Sequence, residues 1–123
     1  MDAEDLVRRY ENGDRDFRGI DLSEADLSGI NLSQADLSQA NLKTANLSQA
    51  NLSQTILSEA NLSGAILKNA NLSQAVLTDA DLSWADFFGA NLSEADLSRA
   101  TMTMAIMIRT RLKGATMPDG SKR

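Results

Sequence analysis

Ala35-Asp36-Leu37-Ser38-Gln39-Ala40-Asn41-Leu42 states one five-residue phrase and begins it again. The phrase runs outward from there in both directions. A leucine falls at every fifth residue from Leu22 to Leu97, with Phe87 the one substitution. Two residues before each stands an alanine, from Ala25 to Ala95, with Ile30 and Thr55 the exceptions. Asn or Asp usually lies between them, and Ser most often follows the leucine. A helix turns about 100° per residue, so a period of five would scatter the leucines around the cylinder. A straight strand would send them to alternate faces. The period makes sense only if the chain bends once per unit. Ala and Leu, two apart, then share the inward side, Asn or Asp points outward, and the last two residues make a corner. A single unit repeated in this way is the mark of a solenoid.

The unit A-[DN]-L-S-x resembles the pentapeptide-repeat family. Its centres run from Phe17 to Met117 in steps of five, twenty-one in unbroken register. The resemblance implies an all-β fold: a right-handed quadrilateral β-helix with four units per coil. The segment Tyr10-Glu11-Asn12-Gly13-Asp14-Arg15-Asp16-Phe17 is similar to the lead-in of cyanobacterial members. Three parts follow: an N-terminal capping helix in residues 1–14, the β-helix in 15–117, and a tail in 118–123.

Before the repeats, Leu6, Val7 and Tyr10 fall on one helical face, with acidic Asp2, Glu4 and Asp5 early and Arg8 and Arg9 late, as the helix dipole favours. Gly13 is the expected stop. This helix is expected to cover the open end of the coil, with Ile20 and Ile30 closing the core against it. Five glycines (Gly19, Gly29, Gly64, Gly89 and Gly114) stand last in their units, where φ > 0 favours a type II turn. Corners that end in Gln or Glu, such as Gln34 and Glu59, are expected to use another geometry. Beyond Leu97 the pattern decays: Met102, Met107, Leu112 and Met117 keep the central slot, Thr110 and Arg111 match poorly, and Pro118 is expected to end strand pairing ahead of a frayed Asp119–Arg123.

Residues twenty apart are expected to stack. One stack repeats Asn-Leu-Ser-Gln at 31–34, 51–54 and 71–74, ending in Asn91-Leu92-Ser93-Glu94, a polar array whose Asn ladders would pin the register. It lacks the threonine ladders of a water-ordering surface. Adding twenty also pairs Trp84 with Met104, Asp86 with Ile106 and Phe88 with Ile108, all outward. Trp84, Phe88, Met104, Ile106 and Ile108 are therefore the candidate interaction patch, which Ile66 would extend; Ile56 and Val76 form a smaller pair elsewhere.

The 123 residues include no His and no Cys, so Ser-His-Asp and Cys-His sites are impossible and no thiolate metal site exists. Asp26, Asp36, Asp81, Asp86 and Asp96 take the outward slot and read as solvated surface. No phosphate-binding glycine loop or metal spacing occurs. No enzyme activity, cofactor or metal is expected. A formal charge of −5 disfavours nucleic acid as partner. No apolar run approaches a membrane span, and Met1-Asp2-Ala3-Glu4-Asp5 lacks the basic and apolar regions of a signal peptide, so the expected location is cytoplasmic. The expected function is a non-enzymatic interaction or scaffold module, self-associating as a homodimer or binding another protein through the C-terminal patch. The alternative that the resemblance implies is a DNA mimic that binds DNA gyrase and protects it from quinolones. That reading wants a sustained acidic surface, whereas Asn, Ser and Gln dominate the middle coils.

Overall fold

A computed structural model describes residues 1–123. Parallel bridges join residues twenty apart, from Asp16↔Asp36 to Asp96↔Thr116, seventeen in all. Each coil therefore takes four units, and the units stack in four columns. Column one is centred on Leu22, Leu42, Leu62, Leu82 and Met102. Column two is centred on Leu27, Leu47, Leu67, Phe87 and Met107. Column three is centred on Leu32, Leu52, Leu72, Leu92 and Leu112. Column four is centred on Phe17, Leu37, Leu57, Leu77, Leu97 and Met117.

One unit shows why these residues recur. In Ala50-Asn51-Leu52-Ser53-Gln54 the Asn51 N–H donates back one coil to Ile30 O at 2.8 Å, and the Leu52 N–H donates forward to Asn71 O at 2.7 Å. The Gln54 N–H donates forward to Ser73 O at 2.9 Å, and the Ala50 N–H closes the preceding corner on Leu47 O at 3.1 Å. Only the Ser53 N–H lacks a backbone partner, and it donates to Asn51 Oδ1 at 3.1 Å. Every backbone donor is used, which a buried repeat requires. The side chain at the outward slot must be short and carry an acceptor, and Asn and Asp are the residues that reach an N–H two positions on.

Every corner from Gly19 to Gly114 ends in a residue with φ between 55° and 76°. Leu52 O accepts the Thr55 N–H, and Ser53 keeps a negative φ, so the corner is type II. Gln34 (65°) and Glu59 (60°) do the same, which overturns the expectation that non-glycine corners differ. A left-handed conformation costs an L-residue roughly 1–2 kcal/mol. Here the interstrand bonds at both ends of the corner leave the backbone no other course.

The core is a column of side chains. The central residues from Phe17 to Leu97 are sealed from solvent, and the alanines from Ala35 to Ala95 lie between them. Thr55 fills an alanine slot at 0 % exposure because its hydroxyl donates to Leu52 O at 2.7 Å. Phe87 takes a leucine slot without loss of the register.

Helix α1 (Ala3–Glu11) closes the N-terminal end. Asp2 caps it by accepting the Asp5 N–H at 2.8 Å, and Gly13 leaves it at φ 98°. Leu6 is fully buried, and Ala3, Tyr10, Ile20 and Ile30, partly buried, pack against the core that Leu6 joins. Val7 does not join them; it is exposed, because Ala3, Leu6 and Tyr10, spaced three and four apart, already fill the narrow seat. The Tyr10 hydroxyl donates to Ser33 O at 2.8 Å, and the Arg15 guanidinium lies 3.7 Å from the Tyr10 ring centre. Arg15, in an alanine slot, thus turns out of the core and onto the cap.

The tail is ordered rather than frayed. Asp119 and Gly120 reverse the chain, the Gly120 N–H donates to Met117 O, and Lys122 pairs antiparallel with Thr116. The Arg123 N–H reaches Ala115 O at 2.9 Å, and the Gly114 N–H reaches Arg123 O at 3.1 Å. Pro118 costs no pairing, since its carbonyl still accepts the Arg99 N–H at 3.1 Å. No helix is long and apolar enough to cross a membrane.

Candidate interaction surface

The type II corner aims its last side chain away from the core, and this places Trp84 (φ 62°) and Met104 (φ 61°) outward, one coil apart, 65 % and 61 % exposed. In column two the outward slots stack as Ile66, Asp86 and Ile106 through consecutive bridges. Phe88 and Ile108 follow them by two residues, joined through the Gly89 N–H on Ile108 O at 3.1 Å. Phe88 is 36 % exposed, Ile106 42 % and Ile108 60 %. All five predicted patch residues are outward on the last two coils, and Ile66 is exposed one coil earlier.

The patch is not uniformly apolar. Asp86 stands between Ile66 and Ile106, accepts the Phe88 N–H at 3.0 Å and lies 3.6 Å from Lys68 Nζ. This contact orients the backbone beneath Phe88. The Asp86–Lys68 pair therefore interrupts the apolar set from within, between Ile66 and Ile106. The smaller pair, Ile56 and Val76, bridges in column four, apart from this set.

The outward carboxylates do more than face solvent. Asp26, Asp36, Asp81, Asp86 and Asp96 each accept the N–H two residues on, at 3.0–3.2 Å. The Ser28 and Ser98 hydroxyls, then their N–H groups, hold the Asp26 and Asp96 carboxyls below the ordinary range. For Asp21 the Ser23 N–H is the larger cause, with its hydroxyl second. Arg18 lowers Asp16 to about 2. The repeated Asp/Asn-x-Ser spacing was the signal for this structural role.

The polar array of column three also differs from its expectation. The Asn side chains turn to their own corners, and the ladder runs through the corner residues instead. Gln34 Nε2 donates to Gln54 Oε1 at 3.0 Å, Gln54 to Gln74 at 2.8 Å, and Gln74 to Glu94 at 3.0 Å. No group of His, Cys, Asp or Glu is arranged to hold a metal. Two shallow hollows, about 450 and 340 Å³, lie beside helix α1; neither touches the patch.

A twenty-residue coil built of four A-[DN]-L-S-x units defines a β-solenoid of one class. The chain belongs to the pentapeptide-repeat family: the family model for pentapeptide repeats (8 copies) matches residues 16–54, 55–93 and 80–117. It is similar to a pentapeptide repeat protein from the thylakoid lumen of Arabidopsis thaliana, at 34 % identity over 83 % of this chain and 71 % of that one, with a TM-score of 0.77. It is also similar to the pentapeptide repeat protein Rfr23 from the cyanobacterium Cyanothece 51142, at 30 % identity over 97 % of each chain, TM-score 0.58. QnrB1, a plasmid-mediated fluoroquinolone resistance protein, shares the fold at 19 % identity over 83 % of this chain and 62 % of that one, TM-score 0.56. Nothing among the curated proteins matches.

Proposed function

We propose that the chain is a non-enzymatic interaction or scaffold module of the cytoplasm, a right-handed quadrilateral rod that self-associates through Trp84, Phe88, Met104, Ile106 and Ile108. The four-unit coil supports the quadrilateral section. The outward exposure of the five side chains carries the functional reading. Fully burying a large apolar side chain contributes roughly 1.5–3 kcal/mol, and folding of this chain leaves a part of that uncollected at each position, most at Trp84, Met104 and Ile108. An exposed apolar set of this kind, grouped on the last two coils, marks a contact surface. The Thr116–Arg123 hairpin, pairing along column four, does not cover it. Light scattering after size exclusion tests the reading. The expected result is a dimer that becomes a folded monomer in Phe88→Lys or Ile108→Lys. A wild-type monomer at high concentration rejects self-association and leaves the same patch for a different protein.

A second reading, the DNA mimic that binds gyrase, draws support from one stacked pair of outward carboxylates, Asp16 over Asp36. The neutral middle of the rod argues against it: between Gln39 and Glu59 the only charged residue is Lys43.

A further inference from the structure

The two ends of the rod are finished differently. Helix α1 seals the first coil, but the last coil ends in an unpaired β-edge on three of its four columns. The N–H groups of Met102, Met104, Met107, Arg109 and Leu112 have no acceptor, and the carbonyls of Ala100, Ala105 and Thr110 have no donor. In every earlier coil these same positions bond to the coil that follows. Column four shows that this edge accepts a strand, for there the chain's own Ser121–Arg123 supplies one. Behind the open edge the core is unsealed: Met102, Met107 and Leu112 are only partly buried, unlike the leucines above them.

Charge says what fits. Residues 99–123 contain six Lys or Arg and one Asp, whereas residues 1–98 contain six Lys or Arg and sixteen Asp or Glu. Arg109, Arg111 and Lys113 border the open edge, and none of them forms a salt bridge. A second copy's identical end would bring like charges together, which disfavours edge-to-edge pairing of two copies.

We infer that the C-terminal edge, at Met102–Met104, Met107–Arg109 and Leu112, binds an extended acidic segment of another protein, which adds to the solenoid as the strands of one further partial coil. The segment's carbonyls would take the five free N–H groups, its own N–H groups would meet Ala100, Ala105 and Thr110, and apolar residues would close the core over Met102, Met107 and Leu112. Its carboxylates would lie against Arg109 and Arg111. Main-chain pairing supplies affinity and the side chains supply selectivity, as in other strand-addition complexes. The inference deepens the interaction-module reading through the main-chain groups of the last coil's edge, which adjoins the five-residue patch and shares Met104 and Ile108 with it.

A fluorescein-labelled peptide of residues Asp21–Leu32 serves as probe, because it carries three acidic residues, no basic ones, and leucines at the repeat spacing. Anisotropy should show saturable binding, weakened about tenfold by the Arg109→Glu/Arg111→Glu variant. Amide exchange should show the five named N–H groups unprotected in the free chain and protected in the complex. Three results overturn the inference: no binding, binding without protection of those amides, or equal binding of a lysine-for-acid version of the peptide. Competition by a DNA duplex that binds as tightly would also overturn it, since phosphates can match the charge but not the strand pairing. Protection that grows with the concentration of the free chain would assign the edge to a second copy and reject an acidic partner. Because Phe88→Lys leaves this edge intact, failure of the patch dimer and failure of peptide binding are separately observable.

Discussion

Gln49 shows what the fold demands of a single residue. It stands at a corner with φ 61°, makes no side-chain hydrogen bond, and is held by its N–H on Lys68 O at 2.8 Å. Gln49→Gly removes left-handed strain of roughly 1–2 kcal/mol and gives back up to about 1 kcal/mol through a freer unfolded chain. Chemical denaturation should find the variant unchanged or slightly more stable. Gln49→Val, β-branched at positive φ, should lose roughly 1–2 kcal/mol. Leu62 tests the opposite slot: fully buried, it should cost roughly 2–5 kcal/mol as Ala, and a loss under about 0.5 kcal/mol would remove it from the core. The leucine slots were legible because burial imposes one residue type every fifth position. The corner geometry was not, because coil-to-coil hydrogen bonds impose it on Gln, Glu, Trp and Arg alike and so override local preference. The patch residues could be named from addition of twenty, but the N–H bond from Phe88 to Asp86 depends on side-chain direction, which the spacing does not state.

At the scale of the single unit and its corner, the outward Asp couples stability to acid. Asp21, Asp26 and Asp96 have lowered carboxyl pKa values in the folded chain, and Asp16 falls to about 2. The unfolded chain therefore binds protons first as pH falls. Their stabilising contribution is complete above the ordinary carboxylate value near 3.8 and is lost as pH drops from there towards about 2. Circular-dichroism melts should be level from neutral pH to about 5 and decline below about 4. Asn occupies the same slot elsewhere and keeps the N–H bond, so Asp21→Asn/Asp26→Asn/Asp96→Asn should fold and show a shallower acid decline. An unchanged acid profile in that variant would assign the decline to other carboxylates. The capping helix was readable from its charges and apolar spacing; the returning tail was not, because its pairing depends on an open edge that exists only once the solenoid has formed.

Across the whole molecule the acidic body and basic end bear on the gyrase reading. A mimic needs negative charge along its length, and this rod has a neutral middle and a positive end. At micromolar protein, gyrase supercoiling should proceed without inhibition. Clear inhibition that Asp81→Asn, Asp86→Asn and Asp96→Asn together relieve would install the mimic reading instead. The twenty-residue step of the bridges has one more consequence, for how such a chain can change length. Removing residues 41–60 joins Ala40 to Asn61, so Leu62 inherits the column of Leu42, residues 61–80 stack on residues 21–40, and every residue from 81 onward keeps its neighbours above and below. Removing a single unit instead rotates everything downstream by one column: Trp84 would part from its place above the Glu24–Thr44–Gly64 corner, the glutamine ladder would break, and helix α1 would cap a rod whose features had all moved round its perimeter. A chain built this way can grow or shrink by whole coils with its surface pattern in place, and by anything less only by redrawing it.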